Sequence, residues 1–95
     1  MRVVITEPAE QDLFGIQRYV ATDNPARAKT FIAELERICT RTLPDTPLIG
    51  APHDEISPGL RAHSYKGYMI CYRVVEDVIH IVRVFHGSYD ITRRF

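Results

Sequence analysis

Two nearly continuous apolar runs, Tyr68–Val75 and Val78–His86, meet at Glu76-Asp77 and dominate the C-terminal half of the chain. β-Branched and aromatic residues fill both runs, and neither contains Gly or Pro. Each therefore fits a pleated strand, and the acidic pair between them reads as a tight turn. Alternation sends Tyr68, Ile70, Tyr72 and Val74 to one face of the first strand and Met69, Cys71, Arg73 and Val75 to the other. In the second strand it groups Val78, His80, Val82, Val84 and His86 against Ile79, Ile81, Arg83 and Phe85. A hairpin that is apolar on both faces belongs in the middle of a sheet, covered by helices on at least one side. Arg73, His80, Arg83 and His86 interrupt this lattice, where charge is costly unless paired or placed at a rim.

The N-terminal half supplies the cover. Residues 2–6 form a β-branched run that Pro8 ends while opening a helix, with Glu7 at the N-cap. Ala9, Leu13, Ile16 and Val20 follow at helical spacing, and Phe14 and Tyr19 widen the stripe. Gly15 within it costs up to about 1 kcal/mol relative to Ala and points to close approach by a neighbouring element. Asn24 as cap and Pro25 at the first position start a second helix. Its apolar face runs through Ala28, Phe31, Ile32, Leu35, Ile38, Cys39 and Leu43 until Pro44 and Pro47 end it. The link at residues 21–24 is short, which makes the two helices an antiparallel hairpin.

Residues 44–59 hold four prolines and two glycines without periodicity, a loop long enough to suggest a functional role. Residues 60–64 read as a strand turned through Tyr65-Lys66-Gly67 into the central hairpin. The order is β-α-α-β-β-β, one α+β domain over residues 1–95, with an antiparallel sheet and the helical hairpin packed on one face. Leu13, Ile16, Val20, Phe31, Leu35 and Ile38 are expected to pack against the sheet face carrying Ile70, Tyr72, Val82 and Val84.

Charge changes this picture only locally. Twelve basic residues balance twelve acidic ones, so no overall field recruits nucleic acid or an anionic membrane, and no direct DNA binding by this chain is expected. From residue 60 onward, however, Arg61, Lys66, Arg73, Arg83, Arg93 and Arg94 outnumber Glu76, Asp77 and Asp90. Cys39 and Cys71 lack CxxC spacing, no secretory signal precedes them, and buried reduced thiols in the cytoplasm are expected. No run approaches membrane-spanning length. His80 and His86 share a face but lie about 20 Å apart in an extended strand, too far for one ion. Neither a metal nor a cofactor is expected, because no zinc-like spacing or phosphate-cradling glycine loop is present.

The candidate chemistry lies in Arg61, Arg83, His86, Tyr89 and Asp90. If the sheet brings their strands together, they form a phosphate-binding or acid/base surface. Alternatively, Arg83 pairs with a carboxylate such as Asp90 and orders the strand end.

The ordered segments TEPAEQDLFGIQRYV, NPARAKTFIAEL, PDTPLIGAP, SPGLRAHSYKGYMICYRV and VIHIVRVFHGSYD resemble the RelE/ParE superfamily of type II toxin–antitoxin toxins over nearly the whole chain. PDTPLIGAP resembles the family's P-x-x-G loop, and PGLR with the R-V-x-H-G ending looks like the ParE branch. That resemblance implies the same fold and a non-enzymatic toxin that inhibits DNA gyrase, held inactive by a cognate ParD-like antitoxin. Arg61, Arg83, His86, Tyr89 and Asp90 would then contact the target. Leu13, Phe14, Ile16, Tyr19, Val20, Phe31 and Leu35 would supply the antitoxin surface, since their stripe is wider than one sheet face needs. The alternative is a ribosome-dependent messenger RNA endonuclease using Arg61, Arg83, His86 and Tyr89. A third reading is a degenerate member that only binds its antitoxin. ParE-like chains often continue H-G with two arginines and an aspartate, where this chain has Ser88-Tyr89-Asp90. That departure removes charge a nuclease would use on its transition state.

Overall fold

The computed structural model describes residues 1–95, apart from the side chain of Arg94. Strand β1 (Arg2–Ile5) leads into helices α1 (Glu7–Asp23) and α2 (Pro25–Arg37). Strands β2 (Ala51–Pro52), β3 (Arg61–Tyr65), β4 (Tyr68–Val75) and β5 (Val78–His86) follow, and a 3-10 turn (Ile91–Arg94) ends the chain. The strands form one sheet in the order β1-β5-β4-β3-β2. From β5 to β2 every pairing is antiparallel, as expected. β1 joins parallel to β5, so the sheet is mixed, because the helical pair carries the chain back over the face before β5 is laid down. β2, too short to leave a periodic signal, covers only the first two residues of β3.

The cap of α1 is Thr6, not Glu7. Its hydroxyl accepts from the Ala9 amide and donates to the carbonyl of Ile81, tying the helix start to β5. Asn24 caps α2 as expected, its side chain accepting from the Arg27 amide. Pro44 does not end the helical path. A widened turn at Ile38–Thr42, where the Leu43 amide bonds five residues back to Ile38, leads into a one-turn helix, Leu43–Asp45. The extra residue accommodates a proline that lacks an N–H and would clash with a carbonyl four residues earlier. Both hairpin turns place their two central residues at positive φ: Lys66 with Gly67, and Glu76 with Asp77. This geometry matches the twist of adjacent strands.

The core under the helices joins Leu13, Ile16, Phe31, Leu35 and Ile38 to Ile70, Tyr72, Ile79, Ile81 and Val84. Val82, assigned to this face by simple alternation, belongs to the other. A bulge opposite Cys71 and Tyr72 inserts one residue into β5 and reverses its facing midway. Val82 therefore packs with Leu60, Ala62, Cys71 and Phe85 on the second face, closed by Ile56 and Ile91. Cys39 and Cys71 are buried free thiols, in line with the expectation from sequence. Burial pushes Cys39 up to about 12 and Cys71 up to about 11, so neither is a thiolate at neutral pH.

Candidate functional site

Just past the bulge in β5, Arg83 lies opposite Cys71 of β4. Its guanidinium meets Asp12 of α1 through two hydrogen bonds, Nε at 2.7 Å and Nη2 at 2.8 Å. The same carboxylate accepts the Val84 amide at 2.9 Å. Helix and strand are thus clamped by three bonds to one aspartate, which raises the Arg83 pKa. The expected alternative partner, Asp90, does something else. It caps the last turn by accepting from the amide and hydroxyl of Thr92, and it lies 3.7 Å from Arg93.

Beside the clamp, α1 and the end of β5 leave a groove of about 660 Å³. Gly15, Ile16 and Tyr19 line its helical wall; Tyr68, His86 and Tyr89 line the other. Gly15 serves no close approach: a Cβ there would meet nothing within 4 Å. His86 is exposed, its Nδ1 bonded to the Ser88 hydroxyl at 2.6 Å and its ring edge-on to Tyr68 at 5.3 Å. Tyr89 stacks on Phe85 at 5.1 Å. His86, Tyr89 and Asp90 are therefore neighbours in one turn region, with Arg83 behind them in the clamp.

Arg61 is not part of that group. On β4, Arg61 faces Tyr72, whereas His86 faces Tyr68, four residues away. That is about 13 Å along the sheet and about 10 Å across it. Arg61 instead donates to the carbonyls of Leu48 (3.2 Å) and Gly50 (2.6 Å). Tyr72 works on the same loop from within the core. Its hydroxyl donates to the Pro47 carbonyl at 2.7 Å and accepts the Gly50 amide at 2.9 Å. Sequence reading missed this role for Tyr72, since backbone acceptors leave no trace in residue identity. Only Gly fits at position 50, because a Cβ would sit 2.7 Å from the Tyr72 ring.

The apolar stripe divides as well. Leu13, Ile16, Phe31 and Leu35 are buried, and Val20 packs against the same core, so they hold the fold and present little to a partner. Phe14 and Tyr19, 62% and 73% exposed, form the free part, with Arg18 over the Phe14 ring. No group of residues able to hold a metal occurs among the described residues. Among the described residues no helix is long and apolar enough to cross a membrane.

A second polar cluster, unforeseen from sequence, gathers at the β3–β4 turn, where Glu34 of α2 receives Arg27, Tyr65 and Lys66. These donors hold the Glu34 carboxyl down at about 2, from an ordinary 4.5. Over that window the unfolded chain binds more protons than the folded one, so stability rises with pH. The cluster's contribution is complete above about pH 4.5 and is lost as pH falls toward about 2. Melting temperature between pH 5 and 2.5 should fall less steeply for Glu34→Gln than for the wild type. Equal slopes would show that Glu34 titrates as in the unfolded chain.

The family model described as "ParE toxin of type II toxin-antitoxin system, parDE" matches residues 3–91. Toxin ParE3 of Caulobacter vibrioides is 29% identical over 92 residues, spanning 95% of this chain and 90% of that protein. Among solved structures, the chromosomal ParDE toxin–antitoxin system from P. aeruginosa aligns with a TM-score of 0.76 at 22% identity, covering 90% of this chain and 95% of that one. The toxin–antitoxin complex RelBE2 from Mycobacterium tuberculosis aligns with a TM-score of 0.70 at 24% identity, with the same coverage. At these identities the two structures establish the shared fold.

Proposed function

The chain belongs to the ParE toxin family of type II toxin–antitoxin systems, and on that footing we propose that it inhibits DNA gyrase by binding it, without cutting a substrate. A cognate ParD-like antitoxin holds it inactive in a heteromeric complex in the cytoplasm. The observation that carries the choice against a nuclease is the engagement of both candidate phosphate ligands inside the fold. Arg83 is taken by Asp12 and Arg61 by loop carbonyls. His86 has no free arginine of that pair beside it to steady a developing phosphorane charge. The neutral chain also lacks the field that favours a dense polyanion such as the ribosome.

In this reading His86, Tyr89 and Asp90 contact the target, with Arg83 supporting from behind, while Arg61 holds the loop at Leu48 and Gly50 away from them. The antitoxin covers Phe14 and Tyr19 and the groove beside them. Both structural relatives are described as toxin–antitoxin systems, which supports such a partner. Exposed aromatic side chains grouped on one helix are also common at partner sites.

Mixed with gyrase, ATP and DNA, the protein is expected to leave broken, protein-linked DNA, and to leave messenger RNA intact with or without ribosomes. A nuclease using His86 would lose about two or more orders of magnitude in cleavage on His86→Ala. Ribosome-dependent cutting abolished by that change would overturn the proposal. Antitoxin binding with neither activity would favour the degenerate reading.

A further inference from the structure

The two edges of the sheet are built differently. At one edge β2 is two residues long, and one of them is Pro52, which has no N–H to offer a further strand. At the other edge β1 is four residues long, three of them β-branched, with no Pro, Gly or Lys to guard it. The Thr6 amide donates to the Ile81 carbonyl at 3.1 Å, and the parallel register sets Ile5 beside Ile81. Alternation then turns the main-chain groups of Arg2, Val4 and Thr6 toward β5 and those of Val3 and Ile5 outward. Among the described residues nothing bonds to these outward groups. The side chains of Val3 and Ile5 lean on the core under the helices, so Val4 shows on the opposite face, where it is 36% exposed.

We propose that a second copy of this chain covers this edge, β1 pairing antiparallel with β1 of the copy about a two-fold axis through Val4 and perpendicular to the sheet. In that register Val3 faces Ile5 of the copy, Ile5 faces its Val3, and each pair exchanges two hydrogen bonds, so every outward group of both strands is satisfied. Val4 meets Val4 of the copy as a close pair, about 4.5 Å between Cα atoms. The axis keeps both helical layers on one face, and the two sheets run on as one. Charge selects a second copy over an unrelated extended segment. Arg2 and Glu7 are both exposed, and neither has an ion-pair partner among the described residues. The pairing sets Arg2 of each copy opposite Thr6 of the other and one residue from its Glu7. Opposite charges therefore meet twice across the axis, as an isologous contact requires. This inference needs only the edge and stands apart from the toxin reading.

Sedimentation equilibrium of the full chain, from micromolar to millimolar concentration, tests it. A reversible monomer–dimer equilibrium is expected. Val4→Lys sets two like charges face to face on the axis and should weaken the dimer by at least about tenfold, with the melting temperature of the dilute protein held. Arg2→Glu, at an exposed position, should also weaken it. Adding Glu7→Arg to that variant should restore the wild-type dissociation constant, because the charges are then exchanged and not lost. A wild type that stays monomeric throughout would overturn the proposal. A dimer indifferent to Val4→Lys would place the contact elsewhere and overturn it too, and failure of the charge exchange to restore dimerisation would refute the pairing centred on Val4. If the wild type is monomeric and Val4→Lys abolishes co-purification with an antitoxin, the edge belongs to the antitoxin and the second copy is ruled out.

Discussion

Leu35→Ala should lower the free energy of unfolding by about 2–5 kcal/mol, the range for emptying a core leucine site. Leu35 is fully buried in the cluster between the helices and the sheet, in the company of Phe31, Ile38, Ile70 and Tyr72. The sheet side of that cavity is β-structure fixed by hydrogen bonds on both flanks, so it cannot collapse far, and the upper half of the range is expected. For a domain of this size the melting temperature moves roughly 4–8 °C per kcal/mol, so a drop of at least about 14 °C follows. A denaturant titration should show a lower midpoint with an unchanged slope, which assigns the loss to the folded state. Phe14→Ala, on the exposed side of α1, should change stability by no more than about 0.5 kcal/mol. A cost below about half a kilocalorie for Leu35→Ala would place that leucine at the surface and refute the helix face.

Asp12→Ala is expected to cost about 3 kcal/mol, at the low end for breaking a buried pair from one side. Three donors lose their acceptor together: two from Arg83 and the amide of Val84 at the bulge. The side chains of Arg83 and Asp12 are 24% and 15% exposed, so water restores only part of what is lost. Arg83→Ala should also destabilise, and the double variant should cost clearly less than the two changes added, because they remove one shared interaction. Simple additivity would mean that the clamp contributes nothing as a pair. Arg83 would then be available for a partner, and the case against a nuclease would lose its main support.

Much of the architecture was legible from local spacing. The two helices, the Asn24 cap, the turn at Glu76-Asp77 and the buried face of β4 each follow from repeats of two or of three to four residues, which a linear sequence displays directly. Phe14 and Tyr19 were visible as an excess on the first helix. Which members of the apolar stripe would be left outside was not visible, because the sheet's width decides it.

The remaining features depend on residues far apart in the chain. Asp12 and Arg83 are separated by 71 positions, and a bulge that reverses the facing of β5 after Ile81 sets Arg83 opposite Cys71. No periodicity announces a bulge. The parallel entry of β1 is likewise a consequence of how two helices return the chain across the sheet. Arg61 looked like a free cation in a basic segment, yet its partners are carbonyl oxygens of Leu48 and Gly50. Every residue carries such an oxygen, so residue identity cannot reveal which ones are aimed at a guanidinium. Sequence by itself therefore determined the elements and their apolar faces, through short-range side-chain periodicity. Tertiary structure alone decided which charges were occupied and which apolar side chains stayed free, because both depend on backbone geometry assembled from distant segments.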